Sequence, residues 1–344
     1  MVRQLFFLFL FLMGATLFSG CQRSEDDRPT IGYVTNGIAS FWVIADRGAR
    51  DAAGDHDAQV EVRMPPSGVS DQKRMVQDLI ATGVDGIAIS PIDPDNQGVL
   101  LDEIAQHAIL ITQDSDAPES KRLCYVGMDN YVAGRMCGKL VKDAIPEGGS
   151  VVIFIGRLAQ ENGRLRRQGV IDELLDRTED PTRYDSPAVG ALKGEKYTVL
   201  DTRVDDFDFP KAKAQAQEII TRFPDVDCMV GLFAYNPPLI LEAVREARKL
   251  NQIKIVGFDE DEATLEGITG GGIFGTIVQN PYRYGYESVR ILAGLARDDK
   301  SVLPENAFLN IEARRITEEN VDEFWAELKQ LTSEEPAKTD SSDK

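Results

Sequence analysis

From residue 30 onward, short runs of β-branched and other apolar residues alternate with longer stretches whose apolar residues recur at helical spacing. This order constrains the fold more than any other feature of the chain. Successive strands separated by a crossover helix pair in parallel, and the helices then cover both faces of the sheet. In a first series, residues 31–35, 59–63, 86–90, 109–112 and 123–126 read as strands, and 41–53, 70–82 and 97–107 as helices. A second series begins after Met128-Asp129-Asn130, with strands at 150–155, 197–203, 228–232, 253–258 and 273–278. Its helices fall at 132–144, 164–176, 210–223, 238–250 and 260–268. The expected fold class is therefore α/β, with two doubly wound parallel-sheet lobes.

A helix at 282–296 and a strand near 307–311 follow after the second series is complete. We expect the helix to return to the first lobe and the strand to the second, which gives a hinge of three chain segments. The expected N-terminal lobe is 30–128 plus about 280–303, and the C-terminal lobe is 129–279 plus about 304–318. Residues 319–331 would form a C-terminal helix, and 332–344, without apolar anchors, a disordered tail.

The first twenty residues carry one charge, Arg3, then an apolar run and small residues leading to Cys21. The run is too short to span a bilayer as a helix and reads as a secretory signal peptide, residues 1–20. Phe18-Ser19-Gly20-Cys21 is similar to a bacterial lipoprotein cleavage box, which would make Cys21 the lipidated first residue. Residues 21–29 would be a polar tether holding the protein in the periplasm, attached to a cell-envelope membrane by lipid alone. An ordinary signal peptide with an unmodified Cys21 is the alternative.

The formal net charge is −19, from 38 Lys and Arg against 57 Asp and Glu. No basic stripe is available to displace counterions, so a nucleic-acid partner is excluded. Cys124, Cys137 and Cys228 are an odd number without metal-ligand spacing; Cys124 and Cys137 could pair, or all three could be buried thiols. The two histidines, His56 and His107, have no Cys or Ser motif nearby, and neither a phosphate loop nor a dinucleotide fingerprint is present. We expect no catalysis, no cofactor and no metal.

Open α/β sheets bind ligands beyond the C-terminal ends of their strands. Phe41-Trp42 follows the first strand; the pair can stack on a sugar ring or pack a helix N-terminus on the core. Asp114, at another strand end, can accept bonds from neighbouring hydroxyls or cap a loop, and Asp116 is a weaker version of the same choice. Asn162 and Arg166 are four apart and share a helix face, from which an arginine fork could clasp vicinal hydroxyls. Arg164 and Arg167 read as surface charge.

Six segments occur in one order: Ile31-Gly32-Tyr33-Val34-Thr35-Asn36 with Phe41-Trp42, Asp85 to Pro91, Gly127-Met128-Asp129-Asn130, Arg166 with Gly169, Val256-Gly257-Phe258-Asp259, and Thr276-Ile277-Val278-Gln279. In this the chain resembles the ribose-binding, type I family of periplasmic solute-binding proteins in its lipoprotein form, from residue 30 to about 315. The resemblance implies ligand contacts from Phe41, Trp42, Asp114, Asn162, Arg166, Phe207, Asn236, Asp259 and Gln279. It further implies a monomer that binds a sugar or polyol and delivers it to an ABC permease. A lipid-anchored sensor partnering a histidine kinase or chemoreceptor would use the same cleft. The family carries an arginine directly after the aspartate matched by Asp114, where this chain has Ser115. Its Asn-rich loop before the aromatic pair is replaced by Gly37-Ile38-Ala39-Ser40.

Overall fold

A computed structural model describes residues 28–332; Cys21, most of the expected tether and the expected tail beyond Thr332 lie outside it. The chain runs β1 (Thr30–Val34), α1 (Ser40–Asp55), β2 (Gln59–Arg63), α2 (Val69–Thr82), β3 (Gly86–Ile89), α3 (Gly98–His107), β4 (Ile109–Gln113) and β5 (Tyr125–Gly127). It continues with α4 (Asn130–Ala144), β6 (Gly149–Ile155), α5 (Glu161–Leu174), β7 (Leu192–Lys193), β8 (Tyr197–Val204), α6 (Phe209–Arg222), β9 (Cys228–Gly231), α7 (Asn236–Glu246), β10 (Lys254–Phe258), α8 (Glu262–Thr269) and β11 (Gly275–Val278). The last elements are α9 (Pro281–Leu295), β12 (Phe308–Asn310), β13 (Arg314–Thr317) and α10 (Val321–Thr332).

Two sheets result, each the floor of one lobe. The first has the order β12-β5-β4-β3-β1-β2 with every pairing parallel. The second has the order β13-β11-β10-β9-β6-β8-β7, parallel inside and antiparallel at both edges. Both faces of a parallel sheet are covered, so its central strands are apolar throughout and alternate residues serve opposite cores. In β6, Val151, Ile153 and Ile155 enter the core against α4 and α5, while Val152 and Phe154 enter the one against α6 and α7.

The return segments differ from expectation. Helix α9 packs on α1 and the first sheet. Strand β12, however, also joins the first sheet, beside β5, and not the second as its position after the second series suggested. The short link from α9 keeps it on that side, and β5 would otherwise leave an open edge. The crossing comes just afterwards, and β13 is the strand that returns to the second lobe. Its Arg314-Arg315 pair sits on an exposed edge and hides the strand from a pattern search.

Each lobe has one helix pair in backbone contact. A Cβ at Gly285 of α9 would stand 1.9 Å from the Ala45 carbonyl oxygen of α1, and one at Gly48 1.9 Å from that of Tyr282. In the other lobe, a Cβ at Gly134 of α4 would stand 2.2 Å from the Arg166 carbonyl oxygen of α5. Cys124, Cys137 and Cys228 are free and buried. Cys124 lies in the core of the first lobe and Cys137 in that of the second, so the two do not pair.

Candidate functional site

The C-terminal ends of both sets of parallel strands face one cleft, and the loops leaving β1, β4, β6, β8, β9, β10 and β11 enclose a small cavity of about 30 Å³. Phe41, Trp42 and Asp114 line it from the first lobe; Asn162, Arg166, Phe207, Asp259 and Gln279 line it from the second. Asn236 does not. Its amide donates to Asp205 Oδ2 at 3.0 Å, and its oxygen accepts from the Phe233 N–H at 3.1 Å, so it holds the loop behind the cavity.

At the centre of the cavity is Arg166. Its Nε donates to Asn130 Oδ1 at 2.9 Å and Nη1 to the Leu232 carbonyl at 3.3 Å, while the guanidinium lies 4.4 Å from the centre of the Phe258 ring. Nη2 is buried with no hydrogen-bond partner, and it stands 3.7 Å from Asp114 Oδ1. Nη1 is 3.9 Å from Asp259 Oδ1. Both separations are too long for hydrogen bonds, so the fork points at two acids without closing on either.

Asp114 Oδ2 accepts from Ser90 Oγ at 2.9 Å, Asn36 Nδ2 at 3.2 Å and, from the other lobe, Asn162 Nδ2 at 3.0 Å. Burial pushes its carboxyl up to about 6, with Arg166 and the Ser90 hydroxyl pulling the other way. Asp259 Oδ1 accepts from Gln279 Nε2 at 2.6 Å, and burial raises its carboxyl too, against the pull of Arg166. Asp114, Phe207 and Asp259 have φ of 60°, 65° and 70°. Left-handed backbone in non-glycine residues costs energy, and three cases at three strand ends mark these loops as shaped to aim side chains inward.

Aromatic rings form the walls. Phe41 meets Trp42 edge-on at 4.7 Å, and Trp42 Nε1 donates to Asn36 Oδ1 at 3.2 Å. On the other side Phe207 packs on Phe233 and Tyr235 at 5.3 and 5.4 Å. Asn36, Phe233 and Tyr235 line the cavity without having been singled out from the sequence. Phe233 to Tyr235 follow the end of β9 after a gap of one residue, so the strand-end rule that picks Asp114 would have picked them too. Among the described residues, no group of three or more His, Cys, Asp and Glu side chains is placed to hold a metal ion, and no helix is long and apolar enough to cross a membrane.

Outside the cavity the lobes also touch along a seam. Ser40 Oγ donates to Asp261 Oδ2 at 3.1 Å, and Glu161 of α5 accepts the backbone N–H of Asp116. Asp116 itself is held by Thr112 and Arg122, at 2.6 Å each, and stays out of the cavity. Burial and the Asp116 charge push the Glu161 carboxyl from 4.5 up to about 7. The shut, folded form therefore binds this proton more tightly than the unfolded chain. The resulting stabilisation is full below about 4.5 and is lost as pH rises through about 7. The thermal midpoint should fall across that window, and Glu161→Gln should flatten the fall; parallel curves for the two proteins would exclude Glu161 as the cause.

A family model for the periplasmic binding protein domain matches residues 31–300. The ribose import binding protein RbsB of Salmonella typhimurium is 24% identical over 277 residues, covering 79% of this chain and 86% of that protein. Among solved structures, a carbohydrate transporter solute binding protein from Agrobacterium radiobacter, in complex with D-arabinose, aligns with a TM-score of 0.77 at 23% identity. It covers 90% of this chain and all of the other. The XylFII-LytSN complex contributes a chain with a TM-score of 0.73 at 22% identity, covering 85% of this chain and 98% of that one. With two parallel-sheet lobes shut over one lined cavity and a family match across most of its length, this chain belongs to the periplasmic binding protein domain family, a family of binding proteins and not of enzymes.

Proposed function

We propose that the chain binds one small polyhydroxylated molecule, a monosaccharide or sugar alcohol, between its lobes and delivers it to the permease of an ATP-driven importer. The observation that carries this reading is Nη2 of Arg166: a charged donor, on a residue 1% exposed, with no hydrogen-bond partner in the protein. Leaving such a group unpaired is costly, so the cavity is built for an acceptor that a guest supplies. Two acids and the amides of Asn162 and Gln279 offer matching groups around it, and rings on both sides can stack on the apolar face of a sugar. Ribose and arabinose ligands in the relatives support the same class. Lipid attachment through Cys21, with residues 21–29 as a tether, would hold a monomer beside its permease.

Closure over a preorganised cavity supports micromolar or tighter binding, about −8 kcal/mol or better. Ligand at 100 times Kd adds about 2.7 kcal/mol, so the thermal midpoint should rise by about 5–10 °C. A thermal-shift screen of pentoses, hexoses, sugar alcohols, cyclitols and nucleosides tests this. A rise with an amino acid alone, and with none of these, would refute the carbohydrate reading. The sensing alternative draws on the neighbour solved with a second protein, LytSN. It predicts co-purification with a membrane kinase or chemoreceptor in place of a permease.

A further inference from the structure

The charges around the cavity do not balance. Asp114 and Asp259 both line it, and Arg166 is the one cation among the lining residues. Directly behind Asp259, the Glu260 side chain is 3% exposed with neither carboxyl oxygen hydrogen-bonded. Arg157 packs on the Phe207 ring, 4.5 Å from the ring centre, and is not among the lining residues. The residue after Asp114 is Ser115, which brings no charge.

Carboxylates shut into a cleft need a counter-charge, from a proton, the protein or the guest. The protein supplies one guanidinium for two lining acids. Asp114 Oδ1 is the poorly served atom: its three neutral donors all reach Oδ2, and Arg166 stays 3.7 Å from Oδ1. Phe41, Trp42, Phe207, Phe233 and Tyr235 add five aromatic rings to the lining, whose faces attract cations.

We propose that the ligand is a sugar or polyol bearing a protonated amine, with its ammonium group on Asp114 Oδ1 and its hydroxyls on Arg166 Nη2. This rests on the polyol reading above and specifies the chemical class within it. An ammonium ion brings the missing positive charge and up to three donors to the oxygen that lacks one. A neutral sugar brings hydroxyl donors but no charge, and its closure would require one of the acids to take up a proton.

Titration calorimetry on the purified chain, in two buffers of different ionisation enthalpy, separates the cases. The probes are glucosamine, galactosamine and mannosamine, each beside its neutral parent sugar and its N-acetyl derivative, at about pH 6.5 where such an amine is largely charged. At least one amine should bind about ten-fold or more tighter than its parent and N-acetyl form, without proton uptake. Asp114→Asn should bring that ratio close to one, and Asp259→Asn should reduce it, with circular dichroism verifying that each variant is folded. A folded Asp114→Asn that keeps the full preference overturns the placement of the amine. Neutral sugars binding as tightly as the amines, with uptake of a proton, overturn the inference and leave the polyol reading standing. Binding by none of the amines, parent sugars or N-acetyl forms overturns the inference, and the polyol reading is then decided by the thermal-shift screen with pentoses, sugar alcohols and cyclitols.

Discussion

Replacing Arg166 with methionine should nearly abolish ligand binding while leaving the fold in place. The substitution keeps much of the side-chain volume in a fully buried position but removes Nη2, the donor aimed at the cavity, and the cation that faces Asp114 and Asp259. Truncating one member of a buried charged network costs about 2–5 kcal/mol, so affinity should fall about 30-fold at the least. Calorimetry with the best ligand from the thermal-shift screen measures the loss. A dissociation constant within about threefold of the parent, on a protein with unchanged circular dichroism, would mean that the centre of the site lies elsewhere.

The largest effect on stability is expected at Gly285. Valine there would place its Cβ 1.9 Å from the Ala45 carbonyl oxygen, a backbone atom that cannot rotate away. Helix α9 must then lift from α1, opening the core of the first lobe. Overpacking of a dense core costs about 1–3 kcal/mol and more when backbone has to move, so the midpoint should drop by about 6–12 °C or the protein should fail to accumulate. Gly54, at the far end of α1, gives the control: nothing lies within 4 Å of a Cβ there. Alanine at that position should stabilise the helix by about 0.5–1 kcal/mol. Thermal denaturation of both variants checks the pair, and a Gly285→Val protein as stable as the parent would contradict the close helix crossing.

Much of this architecture can be read from the sequence, because strands buried on two faces are written as uninterrupted apolar runs and the connecting helices have a different period. The site is legible for a related reason. A strand end fixes where a residue emerges, so Asp114 falls on the cavity, and Asp259 and Gln279, which the family resemblance implies, line it from two further strand ends. A strand end does not say which way the chain turns next. Asn236 emerges at such a place but is turned away by its bonds to Asp205 and Phe233, whereas Phe233 and Tyr235, three and one residues before it, line the cavity. The last strands were harder still. Residues 308–310 and 314–317 are both short edge pieces, and only the pairing partner, which no local pattern encodes, assigns one to each sheet.

The return of α9 and β12 to the first sheet also sets an order of events in folding. Helix α1 lies against a partner more than 220 residues downstream, and β5 acquires its second neighbour only at residues 308–310. Both lobes are completed only past residue 300, but the first closes through contacts of very large sequence separation, and such contacts slow folding. A nascent chain that has emerged only to the end of β11 would hold a second lobe lacking β13 and α10 beside a first one lacking α9 and β12. The earlier lobe can then wait, loosely collapsed, until the later half has arrived.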